Sequence, residues 1–177
     1  MLKIFDNHIP ERIRERLIHD EEYAYTPMGE YFFWEVDNFN RPNSPIEDTL
    51  RHIWKDVINP YEYSGGVIKY WINKSEGLSK GIWHMDFDGE LSAVYYTKID
   101  CLGGYLELCD NEDSLSQQEF KDYIKGLDPQ TQVQRIQPIT NRAVIYDSHK
   151  IHRVSKTYNG IRECLASTIY HKKPVDF

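Results

Sequence analysis

Three residues of this chain have the types and spacing to hold a metal ion. His84 and Asp86 stand two apart within residues 82–87. In an extended strand, side chains two apart project from the same face. One imidazole and one carboxylate therefore point together, and Met85 faces the other way. His152 follows 68 residues later, at the start of a β-prone stretch, and offers a second imidazole. Two histidines and one carboxylate leave coordination positions open and suit non-haem Fe(II). Arg162 lies ten residues beyond His152, past Asn159 and Gly160, which read as a turn. Antiparallel pairing across that turn would send His152 and Arg162 into one interior. Arginine's planar fork grips a carboxylate through two bonds. A metal with open positions beside such a clamp calls for a small dicarboxylate cosubstrate.

The elements that must position these groups are mainly strands. Residues 1–6 alternate loosely as a short strand. Pro10 opens a helix to about residue 20, with Ile9, Ile13 and Leu17 as a narrow apolar stripe. Residues 31–36 are continuously β-prone. A second helix has strong start signals: Ser44 as cap, Pro45 at the first position and Glu47 to complete a capping box. Its apolar face runs through Ile46, Leu50, Ile53, Trp54, Val57 and Ile58, and Asn59 with Pro60 stops it. That face should pack on the outside of a sheet. From Gly66 onward the pattern is strand after strand: 67–72, 82–87, 91–99, 105–108, 133–136, 143–146, 153–156 and 163–171, with 73–80 as a polar loop. The acidic insert 109–131 carries a second capping box, Ser116 with Glu119, and a short helix to about Ile124. Helices followed by about eight short strands predict a mainly β (α+β) fold, a cupin-like jelly roll or double-stranded β-helix with a helical buttress. The expected organisation is a single domain over 1–177, with a buttress at 1–62 and a jelly-roll core at 63–177.

Composition narrows the class. The 177 residues are 40% hydrophobic and 14% aromatic, with 13 Tyr and 4 Trp, which suits a globular β-rich chain with a lined pocket. A net charge of −7 argues against tight nonspecific binding to nucleic acid. Cys101, Cys109 and Cys164 are odd in number and lack metal-type spacing, so they are expected to be reduced. There is no long apolar run and no signal-peptide pattern, so a soluble, cytoplasmic protein without a membrane partner is expected.

In ordered blocks over residues 66–171 the chain resembles the Fe(II)/2-oxoglutarate-dependent dioxygenases, in their prolyl-4-hydroxylase-like branch. Lys69 and Tyr70 lead through a polar loop to His84 and Asp86, like the family's tyrosine strand before its His-x-Asp. The run from Ala93 to Thr97 resembles the next strand, where a tyrosine often faces the cosubstrate. Gly103, Gly104 and Leu106 resemble a Gly-Gly-x-Leu strand. Pro138 to Tyr146 resembles a Pro-x-x-Gly strand, with Asn141 or Arg142 near the usual glycine. His152 and Arg162 resemble the distal histidine and the basic cosubstrate residue.

The resemblance implies that His84, Asp86 and His152 hold iron and that Arg162 binds the far carboxylate of 2-oxoglutarate. Tyr96, with Tyr95 as the alternative, would hydrogen-bond that carboxylate, and Tyr70 would line the same end of the pocket. It implies hydroxylation of a substrate with release of succinate and CO2, using O2 and with ascorbate as reductant. A protein or peptide side chain is the favoured substrate, proline first, with small molecules as the other class. His149 and Asp88 are rivals to His152 and Asp86. His149 has the wrong spacing to Arg162 for the family, and Asp88 falls at the end of the strand. The competing readings are a cupin-like metal enzyme without 2-oxoglutarate and a non-catalytic jelly-roll binding module. The insert reads either as a surface excursion or as a lid over the substrate.

Overall fold

The computed structural model describes residues 1–20, 28–32, 44–58, 67–86, 89–109, 115–127 and 133–170. Their elements are β1 (Leu2–Asp6), α1 (Glu11–Ile18), β2 (Met28–Phe32), α2 (Pro45–Trp54), β3 (Val67–Glu76), β4 (Leu91–Gly103), β5 (Leu106–Cys109), α3 (Gln117–Lys125), β6 (Val133–Ile136), β7 (Arg142–Asp147), β8 (His152–Val154) and β9 (Thr157–Tyr170). A six-stranded sheet has the order β1-β7-β4-β9-β3-β2, and a three-stranded sheet has the order β6-β5-β8. Every strand pairing in both is antiparallel. This is a jelly roll with two helices laid against the larger sheet.

Alternation along the central strands sorts side chains to the sheet's two faces. On β4, Ala93 and Tyr95 join the outer cluster with Ile13 and Leu17 of α1 and Leu50, Ile53 and Trp54 of α2. Val94 and Tyr96 join the inner cluster with Leu106 and Leu108 of β5 and Ile136 of β6. The apolar stripes of both helices are thus buried on the sheet side away from the smaller sheet. Complete burial of Leu50 and Ile53 stabilises the fold by roughly 1.5–3 kcal/mol per side chain.

The start of α2 follows its sequence signals. Pro45 occupies the first turn, and the Ser44 hydroxyl accepts from the Glu47 backbone N–H at 3.2 Å. The full reciprocal box forms on α3, where Ser116 N donates to Glu119 Oε2 at 2.8 Å and Glu119 N to Ser116 Oγ at 3.3 Å. Ser44→Ala is expected to cost about 1 kcal/mol and to lower the melting temperature by about 2–4 °C. Metal affinity should not change, because α2 touches only the outer face. Thermal denaturation of wild type and variant, alongside metal titration, checks both.

Several expectations are corrected. Residues 73–76 are not loop: β3 continues through them, paired with β9 from Asn73↔Cys164 to Glu76↔Ile161. Their polarity reflects an exposed strand end. The strand expected at 163–171 begins at Thr157, and Asn159 and Gly160 lie inside it. Both have positive φ, 46° and 70°, and the β4–β9 register slips beside them between Cys101 and Leu102. The pair makes a bulge rather than a turn between strands. A Cβ on Gly160 would lie 1.6 Å from the Asp100 carbonyl oxygen, so glycine is required there. The expected β8–β9 pairing is therefore absent; β8 pairs with β5 in the smaller sheet. His152 and Arg162 still share an interior, because they come from the two sheets that face each other. Of the strand expected at 31–36, residues 31 and 32 belong to β2, and the remainder lies outside the described residues.

Candidate active site

The strand expected at 82–87 is corrected: among the described residues of that segment, only His84 is strand-paired, through an isolated bridge to His152. Residues 79–86 run along the free edge of β8 and the residues flanking it, and touch them at separated points. Gly81 N donates to Val154 O at 3.0 Å, and Ser79 bridges Thr157. His84 and His152 exchange both backbone bonds, at 2.9 and 2.8 Å. Asp86 N then donates to Ser148 O at 3.0 Å. These bonds lock the His-x-Asp segment to the distal histidine before any metal arrives.

The result is a ligand cluster. Atoms of His84, Asp86 and His152 that could bind a metal all lie within 4.8 Å of one another. His152 Nε2 is 3.9 Å from Asp86 Oδ2, and the two imidazole centroids are 4.1 Å apart. His149 is not in the cluster, and Asp88 lies outside the described residues. Each imidazole is oriented by the carbonyl two residues before it: Nδ1 of His84 donates to Ile82 O at 2.9 Å, and Nδ1 of His152 to Lys150 O at 2.8 Å. That tautomer leaves each Nε2 lone pair free for a metal. Burial, and then the neighbouring His84, push the His152 pKa down, so it stays neutral. Neutral imidazole is the form a metal requires.

Supporting residues that the sequence reading did not name come from the same strand faces. Ser92 donates to Asp86 Oδ2 at 2.5 Å and lies 3.1 Å from the Thr168 hydroxyl. Tyr146 meets His152 edge-on, with centroids 5.1 Å apart. Ser92 is in phase with Val94 and Tyr96, two and four residues along β4, and pairs with both Tyr146 and Thr168 in the register. Strand phase was the signal that could have found it.

Deeper in the same interior, Arg162 is only 2% exposed. Its Nε donates to Gly104 O at 3.0 Å, its Nη1 reaches Cys164 Sγ at 3.4 Å, and Nη2 has no partner. The guanidinium carbon lies 5.1 Å from the Tyr96 ring centroid. The Tyr96 hydroxyl is also buried without a hydrogen bond, and burial pushes its pKa up to about 12 despite the nearby cation. Tyr146 links the two ends. Burial raises its pKa well above the usual phenol value, Asp86 adds to the rise and Arg162 opposes it, so both charges act on one hydroxyl.

The structure separates the tyrosines of the sequence reading. Tyr96 faces the interior between the two sheets, while Tyr95 lies on the outer face and its hydroxyl donates to Asn141 Oδ1 at 3.1 Å. Tyr70 belongs to the outer cluster under the helices and does not line the pocket; that expectation is corrected. Its neighbour Trp71 packs against the inner cluster instead. Asn141 carries a φ of 63°, a left-handed conformation that explains how it stands near the glycine position.

The insert helix does not cover the ligand atoms. Phe120, Tyr123 and Ile124 pack with Met85, Cys109, Ile151 and Trp83. Met85 and Cys109 pack with α3 and not in the inner cluster that holds Leu106 and Leu108, so α3 braces the outer side of the smaller sheet behind the His-x-Asp segment. The double variant Phe120→Ala/Ile124→Ala is expected to weaken metal binding about tenfold, at the low end of what supporting residues contribute. Co(II) titration followed by absorbance checks this.

No family model matches the sequence, and no curated protein matches it. Solved structures do resemble it. A prolyl hydroxylase from Trichoplax adhaerens, in complex with a hypoxia inducible factor oxygen degradation domain peptide fragment, superposes with a TM-score of 0.58 at 16% identity, over 96% of this chain and 83% of that one. A 2OG-Fe(II) oxygenase family oxidoreductase from Burkholderia pseudomallei gives 0.59 at 14%, over 97% and 86%. A viral collagen prolyl hydroxylase from Paramecium Bursaria Chlorella virus-1, as a 2OG complex, gives 0.57 at 11%, over 97% and 96%. The chain has the fold of the prolyl-4-hydroxylase-like 2-oxoglutarate oxygenases. Within that fold it carries a His-Asp-His cluster suited to a metal. Among the described residues, no helix is long and apolar enough to cross a membrane.

Proposed function

We propose that this protein is an Fe(II)- and 2-oxoglutarate-dependent dioxygenase that hydroxylates a peptide side chain, prolyl first among candidates. One observation carries the reading: two buried polar groups, Arg162 Nη2 and the Tyr96 hydroxyl, lack partners in the interior that also holds the His-Asp-His cluster. A buried donor without a partner costs about 1–3 kcal/mol. A carboxylate between them would satisfy both. In this reading His84, Asp86 and His152 hold Fe(II), while Arg162 and Tyr96 hold the far carboxylate of 2-oxoglutarate. Together with O2 these supply insertion of one oxygen atom into a substrate C–H bond, with succinate and CO2 as co-products. The chain's own residues bind, orient and desolvate. Ser92 fixes the Asp86 carboxylate, and the two backbone carbonyls fix the imidazoles. A peptide substrate is supported by the peptide bound to the Trichoplax adhaerens enzyme, which shares the fold.

A cupin-like enzyme without 2-oxoglutarate leaves the Arg162–Tyr96 pair unexplained, and a binding module leaves the metal cluster unexplained. The unpaired thiols of Cys101, Cys109 and Cys164 support a reducing, cytoplasmic setting. The test incubates purified protein with Fe(II), ascorbate as reductant and 2-oxoglutarate, alone and with peptide and small-molecule panels, and measures succinate. Succinate that depends on Fe(II) supports the proposal. Its absence with every panel refutes it.

A further inference from the structure

The outer face of the smaller sheet carries a second feature, separate from the metal cluster. Leu106 and Leu108 of β5 point into the inner cluster, so Glu107 points out. It pairs in register with Arg135 of β6 and Arg153 of β8. Its carboxylate is 1% exposed and accepts from Arg135 Nε at 2.8 Å and Arg153 Nε at 2.6 Å. The Arg153 guanidinium also stacks over Trp83, 4.2 Å from the ring centroid. The row from Arg135 to Trp83 therefore crosses the back of the sheet from whose other face His152 projects.

This row borders a cleft of about 330 Å³, lined also by Lys80, Lys156, Tyr105 and Tyr158. Four cations and one carboxylate leave a local net charge of +3 in a chain whose total is −7. The one acid is already shared by two arginines. Among the described residues, neither Lys80 nor Lys156 has a carboxylate partner; the Lys156 ammonium lies over the Tyr158 ring at 5.1 Å. Tyr158 is 50% exposed, and Leu102, paired with it in the β4–β9 register, is 67% exposed. Concentrated positive charge beside exposed aromatic and apolar side chains does not stabilise a monomer: the cations repel and the rings stay wet. Both features match a ligand that brings carboxylates and an apolar side chain together.

We infer that this cleft is a docking site for an acidic polypeptide segment, one carrying carboxylates around an apolar or aromatic side chain. Its carboxylates would meet Lys80, Lys156 and the outer N–H groups of Arg135, and its apolar side chain would lie on Tyr158. The site is independent of the oxygenase reading, because it opens on the opposite face of the sheet from the ligand atoms.

The test uses fluorescence anisotropy of the full chain with a labelled decapeptide of aspartate and glutamate carrying one leucine. Its lysine-substituted counterpart and a labelled oligothymidylate are controls. The acidic peptide is expected to bind and the lysine peptide is not. Lys80→Glu/Lys156→Glu, at two exposed positions, should weaken binding at least tenfold, and Tyr158→Ala several-fold. Lys80→Gln/Lys156→Gln should fall between. Circular dichroism and Co(II) titration should match wild type in every variant, which separates loss of the cleft from loss of the fold or of the metal centre. Absence of acidic-peptide binding overturns the inference. So does binding that survives charge reversal, or oligothymidylate binding as tight as the peptide's, which would show a generic polyanion surface.

Discussion

Replacing His152 with alanine is expected to abolish succinate formation and to weaken Fe(II) or Co(II) binding by more than about 100-fold, beyond the usual effect of losing a supporting residue. Three ligand atoms within 4.8 Å leave two after the change, and two do not hold a labile divalent ion against water. The same change removes a ring that packs against both His84 and Tyr146. Even so, the backbone bonds from residue 152 to His84 remain, because they use N–H and C=O alone. The fold should therefore persist, and circular dichroism should show it. His84→Ala should behave alike. His149→Ala should retain turnover, since His149 lies outside the cluster. Full activity in His152→Ala with loss in His149→Ala would reverse the ligand assignment.

The local pattern made much of this site legible, and its failures share one cause. Period two alone sent His84 and Asp86 one way and Met85 the other, and Met85 indeed packs under α3. Period two does not say which face of a strand looks inward. Tyr70 and Tyr95 were for that reason indistinguishable from their neighbours Trp71 and Tyr96 until sheet partners fixed the phase. Asn159 with Gly160 signals positive φ equally well in a hairpin turn and in a bulge, and only pairing with β4 decides between them. Ser92 has no sequence signature, because a small hydroxyl in a β-rich stretch belongs to no motif. Its importance arises from Asp86, which sits six residues away and on no paired strand.

Removing the Arg162 guanidinium is expected to raise the concentration of 2-oxoglutarate needed for half-maximal succinate formation by at least about 30-fold. That corresponds to about 2 kcal/mol, the lower end for truncating a buried charged hydrogen-bonding partner. The size follows from burial. Arg162 is 2% exposed, so water can poorly replace it beside a bound carboxylate. Its Nε bond to Gly104 and the left-handed φ of Gly104, 69°, hold the fork in place. A Cβ on Gly104 would come within 2.9 Å of Arg162 Cδ, so glycine there is what lets the side chain lie flat. Arg162→Lys keeps the charge but offers no fork and should fall between wild type and Arg162→Ala. Tyr96→Phe removes one neutral donor and should cost about 1 kcal/mol. Metal affinity without cosubstrate should stay within a few-fold of wild type in all three, because Arg162 and Tyr96 lie outside the ligand cluster. Calorimetric titration of 2-oxoglutarate into the metal-loaded protein separates these cases. Unchanged affinity in Arg162→Ala would remove the carboxylate clamp and leave the buried, unpartnered Nη2 to be explained by some other anion.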